Sequence, residues 1–129
     1  MRTSAELDAK KPLILIADDN EGCLDVLFKM LTALGYDVLA VHDGKAAIQA
    51  YQSKRNQINL VILDMKMPYN GEKTYTKLRK IDKQVRILLI SGYAEDFKVR
   101  ALLKQGCCGF LEKPFNLNSL RLNVSHMIK

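Results

Sequence analysis

Short apolar runs alternate along the chain with longer segments in which apolar residues recur at helical spacing. The apolar runs are rich in Ile, Leu and Val, which is typical of strands buried on both faces of a sheet. Because a helical segment follows each run, strand and helix are expected to alternate throughout. The pattern predicts strands over residues 13–17, 37–41, 59–63, 86–90 and 107–111.

The segments that follow the strands predict five amphipathic helices. Asp19 or Asn20 can cap the start of the first helix, Gly35 can end it, and Asp43 can cap the second. In each helix the apolar residues recur every three or four positions, so that they form one face. These faces are Leu24, Leu27, Phe28, Leu31 and Leu34; Ala46, Ala47, Ala50 and Tyr51; Tyr75, Leu78 and Ile81; Val99, Leu102 and Leu103; and Leu117, Leu120, Val124 and Met127.

Regular alternation of strand and helix predicts an α/β fold with a five-stranded parallel sheet. Parallel strands need right-handed crossovers, and five such units make a doubly wound sheet with helices on both faces. A strand order of 2-1-3-4-5 places the first and third strands side by side. The order does not follow from the pattern alone. It is expected because the polar residues described next must be neighbours to act together.

Polar residues stand at the carboxyl ends of four predicted strands. Asp18 and Asp19 follow the first strand, Asp64 the third, Ser91 the fourth and Lys113 the fifth. Open α/β sheets bind ligands at that edge of the sheet. Three carboxylates, one hydroxyl and one ammonium group are therefore expected to converge there.

This set of side chains suits a divalent metal and a phosphoryl group. Three neighbouring carboxylates raise one another's pKa, and a bound cation relieves that repulsion. Since all the ligands are oxygens, Mg²⁺ is favoured over Zn²⁺, with Mn²⁺ as the alternative. Lys113 and Ser91 can bind phosphoryl oxygens, and one Asp can act as a nucleophile that forms an acyl phosphate. The competing interpretation is structural: each Asp could be only a helix cap, and Lys113 a solvated loop residue.

Length and composition place bounds on these interpretations. The chain has 129 residues, and we predict one domain over residues 12–129 behind a flexible arm over residues 1–11. No apolar run approaches the roughly 20 residues of a membrane span, and the amino terminus has no signal core, so a cytoplasmic location is expected. Three cysteines without metal-ligand spacing indicate reduced thiols.

The net charge of +6 raises the question of nucleic-acid binding. Basic residues are dense between residues 73 and 86, but the one aromatic residue among them, Tyr75, belongs to the predicted apolar face of the helix and does not provide a row of rings for base stacking. A solvated helix face explains the spacing, and an acidic partner protein is favoured over nucleic acid.

Four motifs in this order resemble the receiver domain of response regulators in two-component signalling. They are LILIADD, VILDMKMP, LLISGYAE and GFLEKPF, and the resemblance extends from about residue 12 to the end of the chain. It implies a flavodoxin-like fold with phosphoryl transfer from a phosphohistidine. The donor would be a sensor histidine kinase or a histidine phosphotransfer protein. The domain itself would be a phosphoryl acceptor rather than an enzyme.

The resemblance also implies a role for each site residue. Asp64 matches the phosphoacceptor, Asp19 the direct Mg²⁺ ligand and Asp18 the acid that acts largely through water. The backbone carbonyl of Lys66 matches the remaining protein ligand. Lys113 matches the phosphate-pairing lysine, and its peptide bond to the following proline is expected to be cis.

Other positions match the residues that govern switching and phosphoryl lifetime. Ser91 matches the switch hydroxyl, and Phe110 stands where the family often has the Tyr of its switch pair. Phosphorylation is expected to alter the surface made by the fourth helix, fifth strand and fifth helix. Lys66 and Tyr93 match rim positions that tune dephosphorylation. The loop after Asp64 also looks one residue shorter than in the family.

Several alternatives compete with a phosphorelay receiver. A phosphatase with an aspartyl-phosphate intermediate usually has a second acid two residues after its nucleophile, where this chain has Lys66. A flavodoxin-like cofactor binder would need a phosphate loop after the first strand, where the chain has an acidic pair. A degenerate receiver used only for docking is the remaining alternative. Phrases near the carboxyl terminus resemble receivers of hybrid sensor kinases, and a monomer or a weak phosphorylation-dependent dimer is expected.

Overall fold

The structure is a computed structural model that describes residues 11–67, 69–92, 97–104 and 109–128. Its five strands form one parallel sheet in the order β2-β1-β3-β4-β5, which confirms the predicted topology. The strands are β1 (Leu13–Ala17), β2 (Asp37–Val41), β3 (Ile58–Asp64), β4 (Ile87–Ser91) and β5 (Gly109–Glu112). The central strand β3 lies between β1 and β4.

Five helices connect these strands or follow the last one. They are α1 (Glu21–Ala33), α2 (Gly44–Lys54), α3 (Gly71–Ile81), α4 (Phe97–Lys104) and α5 (Leu117–Ile128). The Asn20 side chain accepts the Cys23 amide at the start of α1. Asp43 caps α2 in the predicted manner by accepting the Ala46 amide at 2.7 Å. Among the described helices, none is long and apolar enough to cross a membrane.

Two apolar cores lie on opposite faces of the sheet. The first joins alternate strand residues, such as Leu15 and Leu63, to α2, α3 and α4. The second joins the intervening residues, such as Ile16 and Ile62, to α1 and α5. Successive strand side chains point to opposite faces. The continuous apolar runs are therefore explained by burial on both sides.

Three residues of the predicted apolar faces are exposed. Phe28 and Leu103 are each 40% exposed and Leu117 is 44% exposed. Phe28 and Leu103 directly follow inward-facing leucines and therefore lie about 100° around the helix from them. Leu117 is the first residue of α5. The predicted faces were thus wider than the contact that the sheet provides.

Predicted and observed strand boundaries differ by a few residues. The structure begins β3 at Ile58 and includes Asp64, Ser91 and Glu112 as the last residues of their strands. These polar residues belong to the hydrogen-bonded sheet. Directly after Asp64, for example, the Met65 amide donates to the Ile90 carbonyl at 3.0 Å. The prediction that β5 begins at residue 107 concerns residues outside those that the structure describes.

The loop between β3 and α3 packs closely against the first residue of α2. Tyr69 has a φ of 54°, in the left-handed region that is uncommon for residues other than glycine. The Thr74 hydroxyl donates to the Tyr69 carbonyl at 3.0 Å. A Cβ atom on Gly44 would clash with that carbonyl, so only glycine permits this approach.

The end of α5 is attached to the start of β4. The Arg86 guanidinium donates to the backbone carbonyl of Met127 at 2.8 Å. Met127 itself is buried against the sheet. The cation near the last carbonyls also complements the helix dipole.

Candidate functional site

Three carboxylates meet at the carboxyl end of the sheet. Asp18 and Asp19 directly follow β1, and Asp64 ends the neighbouring strand β3. Carboxylate oxygens from the three residues lie within 4.8 Å of one another. Asp18 and Asp64 are buried, whereas Asp19 is exposed. The cluster thus has a buried floor and an opening to solvent.

The helix caps near this cluster are asparagines. Asn20 caps α1, and Asn70 caps α3 by accepting the Lys73 amide at 2.9 Å. Capping therefore does not explain Asp19 or Asp64. Asp18 has a local structural role, because its Oδ1 accepts the Asn20 amide at 2.9 Å. Its other oxygen points to the cation described next.

Lys113 brings its ammonium group to the same cluster. Its Nζ lies 3.3 Å from Asp18 Oδ2 and 3.7 Å from Asp64 Oδ1. The Lys113 amide donates to the Ser91 carbonyl at 2.8 Å, which fixes the backbone beside β4. The Lys113–Pro114 peptide bond is cis, as expected. Lys113 thus joins β5 to the acids that follow β1 and end β3.

The electrostatics of Asp64 differ from those of an ordinary surface acid. Burial, followed by the charge of Asp18, raises the pKa of Asp64 to about 6. Lys113 and the Lys66 amide, which donates to Asp64 Oδ1 at 3.3 Å, oppose that rise. For Lys113, burial acts to lower the pKa, but the charges of Asp64 and Asp18 outweigh it and the pKa lies above its ordinary value.

Such an arrangement can hold a hard cation. The three acids provide only oxygen ligands, and a divalent cation would remove the repulsion that raises the pKa of Asp64. The donor set therefore fits Mg²⁺. That the backbone carbonyl of Lys66 completes the set of protein ligands remains a prediction.

The predicted switch residues lie on the last two strands of the sheet. Ser91 is buried at the end of β4 and pairs in register with Glu112 of β5. Phe110 pairs in register with Leu89 and is partly buried against the core beneath α2, α3 and α4. The rim residue Lys66 is exposed. The other rim residue, Tyr93, lies outside the described part of the chain.

A groove beside the acids was not predicted from the sequence. It has a volume of about 680 Å³ and lies between α1 and the segment that follows Lys113. Its lining is mostly apolar and includes Cys23, Val26, Met30 and Phe115. Val26 is 49% exposed because it lies off the buried face of α1. The position of the apolar Val26 outside the predicted apolar face of α1 was the signal that the sequence offered.

Comparison with known proteins agrees with these features. The family model for the response regulator receiver domain matches residues 14–125. The sensor kinase CckA of Brucella abortus is 29% identical over 117 residues, which are 90% of this chain and 12% of that protein. The response regulator ARR10 of Arabidopsis thaliana is 24% identical over 116 residues, 90% of this chain and 21% of that protein. The chain thus spans a minor part of these relatives.

Solved structures show the same fold. A chain of the CheX–CheY–BeF3–Mg complex from Borrelia burgdorferi matches with a TM-score of 0.85 and 25% identity, over 92% of this chain and 90% of the other. The receiver domain of the sensor histidine kinase PA1611 from Pseudomonas aeruginosa matches with a TM-score of 0.81 and 26% identity, over 93% and 98% of the two chains. The latter structure has a magnesium ion coordinated in its active-site cleft.

Proposed function

Because the chain belongs to the response regulator receiver domain family, we propose that Asp64 accepts a phosphoryl group from a phosphohistidine in the presence of Mg²⁺. The observation that supports this most directly is the meeting of three carboxylates and the Lys113 ammonium at one edge of the sheet. These groups come from three strands, and together they provide a nucleophile, metal ligands and a phosphate-binding cation. Catalysis would consist of positioning and charge neutralisation.

Each group has a distinct part in the proposed transfer. An Asp64 oxygen forms the new bond to phosphorus while the bond from phosphorus to the histidine nitrogen breaks. The histidine nitrogen keeps the electron pair of the broken bond, and a proton from solvent makes the leaving group a neutral imidazole. Lys113 pairs with a phosphoryl oxygen, for which its distances to Asp18 and Asp64 position it. A metal held by Asp18, Asp19, Asp64 and the Lys66 carbonyl would supply positive charge to the phosphoryl oxygens.

The groove beside the acids provides a route for the donor. Its lining residues Val26 and Phe115 are apolar, and its edge includes Asp18 and Lys113. A helix bearing phosphohistidine could bury an apolar strip there and bring its imidazole to Asp64. We therefore propose a histidine kinase or histidine phosphotransfer protein as the partner, and contact with α1 as the mode of docking.

The consequence of phosphorylation would be a change on the opposite side of Asp64. The Ser91 hydroxyl would turn toward the phosphoryl group, and Phe110 would fill the space that it leaves. The surface of α4, β5 and α5, which includes the exposed Lys104, would then change shape. This is a population shift limited by the difference in contacts between the two states.

Further properties of the whole protein are also proposals. We propose a receiver unit over residues 12–129, a cytoplasmic location, and a parent protein of the hybrid sensor kinase type. The match to the sensor kinase CckA of Brucella abortus supports the last proposal. The proposed receiver is a monomer or a weak dimer that forms on phosphorylation, with no nucleic-acid or membrane contact of its own.

The test of the proposed function is transfer from a labelled donor. A histidine phosphotransfer protein phosphorylated on histidine should lose its label to this chain in the presence of Mg²⁺, with one phosphate added per chain. Removal of Mg²⁺ with a chelator should abolish the transfer. If a small phosphodonor and several phosphohistidine proteins all leave the chain unlabelled, it is not a receiver that accepts phosphate.

The rim residues give a prediction about phosphoryl lifetime. Hydrolysis needs a water molecule in line with the bond between Asp64 and phosphorus. The aliphatic stem of Lys66 can cover that approach while its ammonium pairs with a phosphoryl oxygen. We expect Lys66→Ala and Tyr93→Ala to lose phosphate roughly threefold to tenfold faster, which corresponds to about 1 kcal/mol of barrier. The decay of labelled protein measures this, with Lys73→Ala, which removes an exposed lysine from the first turn of α3, as a control. Equal or longer lifetimes in both rim variants would contradict shielding.

A further inference from the structure

A second groove lies between α2 and α3. It has a volume of about 450 Å³, and its lining includes Lys45, Ile48, Tyr69, Lys77 and Ile81. Smaller hollows beside it share Tyr69 and extend the concave surface to Lys73. We call this continuous surface, with its four lysines Lys45, Lys73, Lys77 and Lys80, the α2–α3 groove. None of its residues belongs to the acidic cluster or to the groove beside α1.

The lysines of the α2–α3 groove are not neutralised within the described structure. All four are exposed, and within residues 11–67, 69–92, 97–104 and 109–128 none of them forms an ion pair. Lys73 and Lys77 are spaced i,i+4 on α3, where like charges destabilise a helix. The surface also includes the acids Asp43 and Glu72, but its four lysines outnumber them, so the net charge of the groove is positive. Asp43 also uses one oxygen to cap α2.

The shape of the groove depends on an unfavourable backbone conformation. Tyr69 adopts a φ of 54°, and its carbonyl is held by the Thr74 hydroxyl against Gly44. This places the Tyr69 ring between the two helices, with the Lys45 ammonium 6.0 Å from the ring centroid. Strained backbone of this kind concentrates at functional sites. The positive charge and the strained tyrosine are independent observations at the same place.

We propose that the α2–α3 groove binds an acidic peptide segment of a partner protein. The lysines would pair with Asp or Glu side chains, and one apolar side chain of the peptide would sit between Ile48 and Ile81, both partly buried. Nucleic acid fits less well. Binding single strands requires a row of open aromatic rings, and the one ring among these lining residues, Tyr69, is already covered by Lys45. A concave groove with apolar walls also suits a side chain better than a flat lipid surface.

The experiment uses a fluorescein-labelled peptide in which glutamates flank a single leucine. Binding to the full chain is followed by fluorescence anisotropy and by amide chemical shifts. We expect the shift changes to concentrate in α2, α3 and Tyr69. The double variant Lys77→Gln with Lys80→Gln should weaken binding roughly fivefold to tenfold. A peptide with serine in place of leucine should bind more weakly, and added salt should weaken every complex.

A matched control removes the same charge elsewhere. Lys104→Gln with Arg121→Gln lowers the net charge equally on α4 and α5, where both side chains are exposed, and should leave peptide affinity nearly unchanged. Phosphate acceptance should be normal in both double variants, so this test is independent of the proposed function. Equal weakening by the two pairs would overturn the proposal, as would no binding at millimolar peptide. Tighter binding to an oligonucleotide or to anionic vesicles through the same lysines would replace the peptide with that ligand.

Discussion

The Asp64→Asn variant is expected to accept no phosphate from a small phosphodonor. The substitution keeps the shape of the side chain but removes the nucleophilic oxygen charge, and neither Asp18 nor Asp19 ends the central strand β3. We expect the labelling rate to fall by at least about a thousandfold, which corresponds to about 4 kcal/mol of barrier. Intact-mass measurement of the added phosphate gives the result directly. Treatment with hydroxylamine should release the label from the parent, because an acyl phosphate is a reactive mixed anhydride.

A matched acid at the same edge of the sheet provides the control. Glu112 is exposed and ends β5, in register with Ser91 of β4. Glu112→Gln removes one negative charge next to Lys113 without touching the acidic cluster. This variant should label at a rate close to that of the parent. Loss of labelling in Glu112→Gln with retention in Asp64→Asn would show that the acceptor has been assigned to the wrong strand.

The same Asp64→Asn substitution is expected to stabilise the metal-free protein at pH 7. The pKa of Asp64 is raised to about 6 in the folded state, against about 3.8 in the unfolded chain. The protonated Asp64 carboxyl contributes stability to the folded state, and this contribution is fully present below about pH 3.8. It is lost as the pH rises through about 6, because the carboxyl then ionises in its buried site. A shift of this size corresponds to about 3 kcal/mol. Since the site opens to solvent at Asp19, we expect a gain of about 1–2 kcal/mol in unfolding free energy.

The pH and Mg²⁺ dependence distinguish this effect from a packing effect. The advantage of Asp64→Asn should shrink between pH 6 and pH 4, because the parent carboxyl is then protonated in the folded state. Urea unfolding in a chelator and in millimolar Mg²⁺ should show that the metal stabilises the parent more than the variant. Asp19→Asn should lose more of the Mg²⁺ response than Asp18→Asn, because Asp18 already pairs with Lys113. A metal-free parent more stable than Asp64→Asn at pH 7 would contradict this account.

The sequence predicted the layout of the acidic cluster only together with a strand order that was expected on functional grounds. Apolar runs identified the strands, and the rule that ligands bind at their carboxyl ends placed Asp18, Asp19 and Asp64 together. The adjacency of β1 and β3 was needed for that conclusion and is observed. The helical repeat predicted burial less reliably at the edges of the apolar helix faces, where Phe28 and Leu103 are exposed. Burial there depends on how far the sheet extends beneath a helix.

Two kinds of feature could not be predicted: those that depend on contacts between residues distant in the chain, and the choice between adjacent residues that can play the same local role. The left-handed backbone of Tyr69 is fixed partly by the approach of Gly44, which is 25 positions earlier in the chain. The groove beside the acids requires α1 and Phe115 to be placed on the same side of the sheet. The choice of Asn20 over Asp19 as the cap of α1 is a local competition, and Asp19 remains exposed beside the cluster. Sequence patterns describe elements but do not describe the spaces between them.

The contact between Arg86 and Met127 matters for anyone who labels or immobilises this domain. Arg86 precedes β4, whereas Ser91 ends that strand, at the same edge of the sheet as Asp64, the proposed phosphoacceptor. Five strand residues separate the two ends of the sheet by about 17 Å. A fluorophore, affinity handle or surface linker attached after Ile128 would therefore begin at the end of the sheet remote from Asp64. If the donor docks on α1 as proposed, such attachments should leave its access unimpeded, whereas a label at Cys23, which lines the groove beside the acids, should block it.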